Sequence, residues 1–266
     1  MSPEDIYTHG HHESVLRSHT WRTAENSAGY LLAGLGAGLD VLDVGCGPGT
    51  ITTDFAARVA PGTVVGIDRS AEVVDQARTR AEQLSNVRFE VGDVYALAYP
   101  DDSFDVVHAH QVLQHLSDPV AALREMGRVC KPGGLVAARD ADYASFAWAP
   151  SDSRLDDWLA TYRAVARANG GEPDAARYLL GWANRAGFRV VRPSASAWCF
   201  ATPDDRSWWG GLWADRMRHS AIADQALALG LSTREQLDNM ADAFGIWSAN
   251  SDGWFSVLHG EVLAKK

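Results

Sequence analysis

Apolar and polar positions in the first two-thirds of the chain fall into short alternating blocks. Val41-Leu42-Asp43-Val44 is a brief apolar run that enters a cluster of glycines, which predicts a buried strand. Residues 51–59 then carry helical spacing. Val64-Val65-Gly66-Ile67 predicts a second buried strand, and residues 71–84 a helix with its charges on one face. Residues 87–91 and Phe104-Asp105-Val106-Val107 predict the third and fourth strands. Residues 119–129 predict a helix, because Pro119 suits a first turn where no amide hydrogen is needed. Lys131-Pro132-Gly133-Gly134 reads as a turn before a fifth strand, Leu135-Val136-Ala137-Ala138. Repeated strand–helix–strand units predict an α/β fold, a parallel sheet with helices on both faces.

Beyond Ser151 the pattern changes. Residues 155–169 and 174–186 predict helices, the second ended by Gly187. Arg189-Val190-Val191 begins a sixth strand, which residues 195–200 extend or pair with. Residues 204–249 place Leu, Met and Trp at helical spacing, and residues 255–263 close the chain as a strand. No repeat and no linker divides the sequence. One domain is therefore expected over 1–266: an N-terminal helical cap at 1–38, a core at 39–202, a helical insertion at 203–250 and a final strand at 251–266.

Composition narrows the function. A net charge of −10 and no Lys/Arg cluster argue against a nucleic-acid partner, whose phosphates call for a basic surface. No apolar run approaches the roughly 18 residues that cross a bilayer, so no membrane partner is expected. Residues 1–14 are polar and His-rich, without the apolar centre of a signal peptide. The cysteines Cys46, Cys130 and Cys199 are few and far apart, which fits a reducing, cytoplasmic location. A homodimer is left open. Of ten tryptophans, six lie from Trp198 onward (Trp198, Trp208, Trp209, Trp213, Trp247 and Trp254), so the late helices are unusually aromatic.

The candidate chemistry starts where the first strand ends, at Gly45-Cys46-Gly47-Pro48-Gly49-Thr50. A tight turn without side chains at a helix start lets a flat polar ligand approach the backbone at the carboxyl edge of a sheet. An ordinary strand–helix turn needs fewer glycines. Asp68, 23 residues after Gly45 at the end of the second strand and followed by Arg69, is placed to accept both hydroxyl hydrogens of a ribose. Asp93, in Val91-Gly92-Asp93-Val94 at the end of the third strand, is placed to accept from an adenine amine, and Val94 offers a backbone amide. Each carboxylate alone reads equally as a solvated strand end; the joint spacing favours a nucleoside site.

These segments resemble the motifs of class I S-adenosylmethionine-dependent methyltransferases over roughly residues 24–192. Tyr99-Pro100-Asp101-Asp102-Ser103-Phe104-Asp105-Val106-Val107, Gln111-Val112-Leu113-Gln114-His115 and Arg128-Val129-Cys130-Lys131-Pro132-Gly133-Gly134 resemble the ubiquinone/menaquinone-biosynthesis branch. The resemblance implies a Rossmann-like seven-stranded sheet whose last strand is antiparallel. It implies S-adenosylmethionine as cofactor, with Asp43 and the loop at the methionine part and Asp68 at the ribose. It also implies a substrate-binding cover inserted between strands 6 and 7, where the Trp-rich helices stand.

Methyl transfer asks the protein to position a small-molecule acceptor, exclude water and, for an oxygen or nitrogen acceptor, remove a proton. His110, at the end of the fourth strand, is the candidate base, and His115 lies one turn further on. Read otherwise, His110 and Gln111 contact the cofactor and His115 packs the next helix. Arg22 is a candidate partner for the methionine carboxylate, or a surface charge. His9, His11, His12 and His19 lack companions at zinc spacing, so no metal is expected. A nicotinamide enzyme calls for glycine where Thr50 stands. A nucleic-acid or protein methyltransferase and a non-catalytic cofactor-binding regulator remain as alternatives.

Overall fold

A computed structural model describes residues 19–266. Its strands are β1 (Val41–Val44), β2 (Val64–Asp68), β3 (Val87–Val91), β4 (Phe104–His110), β5 (Cys130–Ala141), β6 (Ala147–Ala149), β7 (Val190–Phe200) and β8 (Trp254–Lys265). The helices are α1 (Ala24–Ala28), α2 (Thr50–Val59), α3 (Ala71–Arg80), α4 (Pro119–Val129), α5 (Ser153–Ala168), α6 (Leu179–Ala186), α7 (Pro203–His219), α8 (Ala221–Ala228) and α9 (Arg234–Ala249). The sheet runs β3-β2-β1-β4-β5-β8, with β7 on the far side of β8. Strands β1 to β5 are parallel, and β8 is antiparallel to both β5 and β7. The expected seven strands are joined by an eighth, the three-residue β6, which pairs with the start of β8.

Period-two alternation decides which helices cover which face. Val41, Val64, Val106 and Ala137 point to one side and pack with Ile51, Phe55 and Val59 of α2 and with Ala24 and Ala28 of α1. Leu42, Val65, Val107 and Val136 point to the other and pack with Leu123, Met126 and Val129 of α4 and Leu179 and Trp182 of α6. A third cluster is built differently. Helices α5 and α7 to α9 gather Trp158, Tyr162, Trp209, Trp213, Met217, Phe244 and Trp247 over the aromatic ends of β7 and β8, Phe200 and Phe255.

One local expectation is corrected, and one left between two alternatives is resolved. Residues 131–134 do not stand apart as a turn. They belong to the irregular start of β5, where the register with β4 shifts between Phe104 and Val106 and Gly133 takes φ +82°. Residues 190–200 form one continuous strand, because β8 offers them an unbroken partner from Lys265 to Phe255.

Candidate functional site

Chain order reverses at β1, which is followed outward by β2 and β3 on one side and by β4 on the other. At such a switch point the loops leaving neighbouring strands diverge and open a crevice at the carboxyl edge. A cavity of about 510 Å3 lies there.

Its first wall is backbone. Gly45, Gly47 and Gly49 take φ of +65°, +56° and +80°, the left-handed region that side chains penalise. A Cβ on Gly45 would fall 2.4 Å from Cγ2 of Val112, so the loop is closed to substitution on that side. Gly49 is the N-cap residue of α2, and it brings no side chain to cap that helix. The Gly47 amide donates to Asp68 Oδ2 at 3.1 Å and Ser70 N to Oδ1 at 3.0 Å, which fixes the carboxylate at the end of β2. Asp43 lines the cavity from below but is 3% exposed and engaged elsewhere. It accepts from Thr52 Oγ1 at 2.6 Å and pairs with His108 Nδ1 at 2.7 Å, tying β1, β4 and α2 together.

The cavity brings together most of the residues singled out in the sequence. Arg22, Asp43, Gly45, Cys46, Gly47, Thr50, Asp68, Arg69, Gly92, Val94, His110, Gln111 and His115 all line it, as does His19. Gly49 instead faces Phe89, whose ring a Cβ there would meet at 2.7 Å. Asp93 is exposed and its carboxylate accepts from the Tyr95 amide at 2.9 Å, while its neighbours Gly92 and Val94 reach the cavity. His9, His11 and His12 lie outside the described residues.

At the end of β4 the geometry tightens. Gln111 takes φ +54°, unusual for a side-chain-bearing residue, and its amide donates to Arg139 O at 2.7 Å. Arg22 can only donate, so Gln111 Oε1 is the acceptor that faces it and Nε2 points the other way. Nε2 donates to His259 Nε2 at 2.8 Å, which places the His259 proton on Nδ1, 3.1 Å from the Val257 carbonyl. His259 is thereby a neutral imidazole, and burial holds its pKa well below the usual value.

His110 is 5% exposed, lines the cavity and, among the described residues, has no hydrogen-bond partner at either ring nitrogen. Burial, reinforced by Arg22 and Arg139, pushes its pKa well below the ordinary histidine value, so the ring is neutral. His115, whose Nε2 lies 3.1 Å from Gln114 Nε2, is pushed down to about 3 by burial and Arg22. Cys46 is held protonated because burial raises its thiol pKa.

The remaining wall is aromatic. Tyr143 and Phe146 follow β5, Trp198 and Val257 come from β7 and β8, and Trp209, Trp213 and Arg216 come from α7. Tyr143 stacks between Phe146 at 4.4 Å and Tyr162 at 4.0 Å. Of the late apolar residues expected to cover the site, Trp209 and Trp213 reach the cavity. Met217, Leu237, Met240, Phe244 and Trp247 pack among themselves, and Leu229 is exposed. Tyr143, Phe146, Arg216 and His259 were not singled out in the sequence. They are scattered over more than 100 residues and share no motif, so only the fold assembles them.

Comparison with known proteins agrees with this arrangement. The family model described as a methyltransferase domain matches residues 35–185. An uncharacterized methyltransferase of Schizosaccharomyces pombe is 38% identical, with 98% of this chain and 96% of the relative covered. A ubiquinone/menaquinone biosynthesis C-methyltransferase of Bdellovibrio bacteriovorus is 40% identical over 105 residues, which cover 39% of this chain and 45% of that protein. Among solved structures, the YcgJ protein of Bacillus subtilis shares the fold. Its TM-score is 0.60 at 24% identity, with 91% of this chain and 98% of that one covered.

Proposed function

The chain belongs to the methyltransferase-domain family, in its class I S-adenosylmethionine-dependent form, and from that premise we propose that it methylates an oxygen or nitrogen atom of a small organic molecule. The observation that supports this best is His110: a buried, neutral imidazole with two unpartnered nitrogens, lining the cavity where the glycine loop meets the aromatic wall.

The residues present fit the cofactor. The side-chain-free loop at Gly45 and Gly47 admits a ligand against the backbone, and a Cβ at either glycine would impose a strained conformation. Asp68 would hold the ribose hydroxyls, with Arg69 beside it. Gly92, Asp93 and Val94 would border the adenine, and Arg22 with Gln111 would meet the methionine carboxylate. Asp43 would act through the loop it braces, since Thr52 and His108 already occupy its oxygens.

Held by the glycine loop, Asp68 and Arg22, S-adenosylmethionine would supply a methyl carbon made electrophilic by its positive sulfur, for transfer to the acceptor. The chain has two tasks in that step. The aromatic wall orients the acceptor and keeps water out, which raises the effective concentration of the attacking atom. His110, neutral at physiological pH, takes the proton that the acceptor sheds.

A quinone-like acceptor is the finer possibility suggested by the partial likeness to the C-methyltransferase of B. bacteriovorus. The test is transfer of an isotopically labelled methyl group to a panel of hydroxy- and amino-aryl compounds, followed by mass spectrometry. A labelled product is expected. Tight S-adenosylhomocysteine binding without transfer to any acceptor would point to the regulator instead.

A further inference from the structure

At the bend that follows β4, the Gln111 side chain is caught between two partners that leave it one orientation. Its oxygen faces Arg22, which can only donate, and its nitrogen lies 2.8 Å from His259 Nε2, which therefore accepts. The far end is fixed independently. The Val257 carbonyl can only accept, and at 3.1 Å it calls for the His259 proton on Nδ1. Donors thus point one way, from Arg22 through Gln111 and His259 to Val257, and bonds aligned in this manner polarise one another. An inverted Gln111 amide would set NH2 against the guanidinium and oxygen against an unprotonated imidazole nitrogen. Both ends would be mismatched.

The imidazole is itself held in place. His259 is fully buried on β8, opposite Ala141 of β5 and Ser196 of β7, and its ring centre is 4.3 Å from that of Trp198. Arg22 and Gln111 line the cavity, and His259 is not among the described lining residues. Gln111 keeps a left-handed backbone, φ +54°, that residues with side chains seldom adopt. Packing alone asks for none of this. An apolar side chain at 259 would fill the space beside Trp198 without a buried nitrogen to be served.

We propose that His259 is a positioning residue for the amino-acid end of the cofactor: by accepting from Gln111 it turns Gln111 Oε1 toward Arg22 and so aims the guanidinium at the methionine carboxylate. This rests on the methyltransferase reading, which puts the glycine loop at the cofactor and Arg22 with Gln111 at its carboxylate. His259 acts through Gln111 alone.

The experiment titrates two probes calorimetrically into the full chain. One is S-adenosylhomocysteine; the other is its decarboxylated analogue, which keeps the adenosine, sulfur and amine. The wild type should prefer S-adenosylhomocysteine. In His259→Phe that preference should shrink roughly 3- to 10-fold, the usual worth of one hydrogen bond. In His259→Gln, whose amide oxygen can accept in place of Nε2, part of it should return. Arg22→Met should lose the preference, and adding His259→Phe should lower it no further. A merely structural role would weaken both probes alike, so an unchanged ratio in a folded His259→Phe overturns the proposal. An additive loss in the double variant does the same, as does equal binding of the two probes by the wild type. A second measurement needs no variant to fold. In nitrogen-15 histidine spectra of the wild type at pH 7, the ring in contact with Trp198 should carry its proton on Nδ1, and a proton on Nε2 overturns the proposal. Failure of S-adenosylhomocysteine itself to bind the wild type strikes the methyltransferase reading instead.

Discussion

The two ends of the cavity are made of different material. At the loop end, backbone amides, glycines in left-handed conformations and short strand termini define the surface, and the carboxylate of Asp68 is fixed there by two amides. At the α7 end the surface is made of side chains from β7, β8, α7 and the segment after β5. Backbone walls have few ways to vary, since their shape is the shape of the turn. Side-chain walls change with every substitution. The first kind suits a ligand that never changes and the second a ligand that differs from one protein to the next. His110, at the end of β4, stands where the two meet.

Substitution at that junction should separate chemistry from binding most sharply. His110→Ala is expected to lower turnover by roughly 10²–10⁴-fold while S-adenosylhomocysteine affinity is retained. A parallel loss of affinity would make His110 a cofactor contact and move it into the loop end.

On the α7 side, Trp213→Ala should cost about 3–5 kcal/mol of stability, the usual range for a fully buried tryptophan. Trp213 is 1% exposed, with Trp158 edge-on at 4.6 Å and Phe244 stacked at 6.1 Å. The variant's melting temperature should fall, and its acceptor KM should rise while cofactor affinity holds. Destabilisation with an unchanged KM would reduce the aromatic end to plain packing.

Gly45→Ala sharpens the comparison from the backbone side. A left-handed alanine costs about 1–2 kcal/mol, and the added methyl must displace Val112. Cofactor affinity should fall, with aromatic-wall variants such as Trp213→Leu having no such effect. Equal cofactor affinity in Gly45→Ala and wild type would show that the loop does not shape the ligand.

The smallest expected effect is on pH. Burial disfavours the imidazolium form of His110 in the folded chain, so its pKa is lowered and the base stays neutral as pH falls through 6.5. Turnover should therefore show no loss near pH 6.5. Stability carries the opposite signature. The unfolded chain takes up the proton below about pH 6.5 and the folded chain resists, so wild type should lose stability relative to His110→Ala as pH falls below that value.

How much of this was legible in the sequence follows from the same contrast. The glycine loop, Asp68 and Val94 could be read because each sits at a fixed offset from a strand the hydrophobic pattern reveals. Gln111 and Arg22 could be named, but not their bridge through Gln111 to His259, whose partners are 148 residues apart. Arg216 looked like any charge on a helix. Only the packing of α7 over β7 and β8 turns it inward beside Trp213. Asp43 was expected at the methionine, and its bond to His108 depends on the register of β1 against β4, which no linear pattern states. Strand β6 escaped notice because three residues are too few to show alternation.

The most direct test of the division between the two ends is calorimetric titration of S-adenosylhomocysteine, with NAD as control, into wild type, Asp68→Ala and Trp213→Leu. The expected result is binding of S-adenosylhomocysteine and not NAD by the wild type, a loss of about 1.5–3 kcal/mol in Asp68→Ala from removal of hydrogen bonds to a charged acceptor, and wild-type affinity in Trp213→Leu. Wild-type affinity in Asp68→Ala, or NAD bound as tightly as S-adenosylhomocysteine, would contradict it.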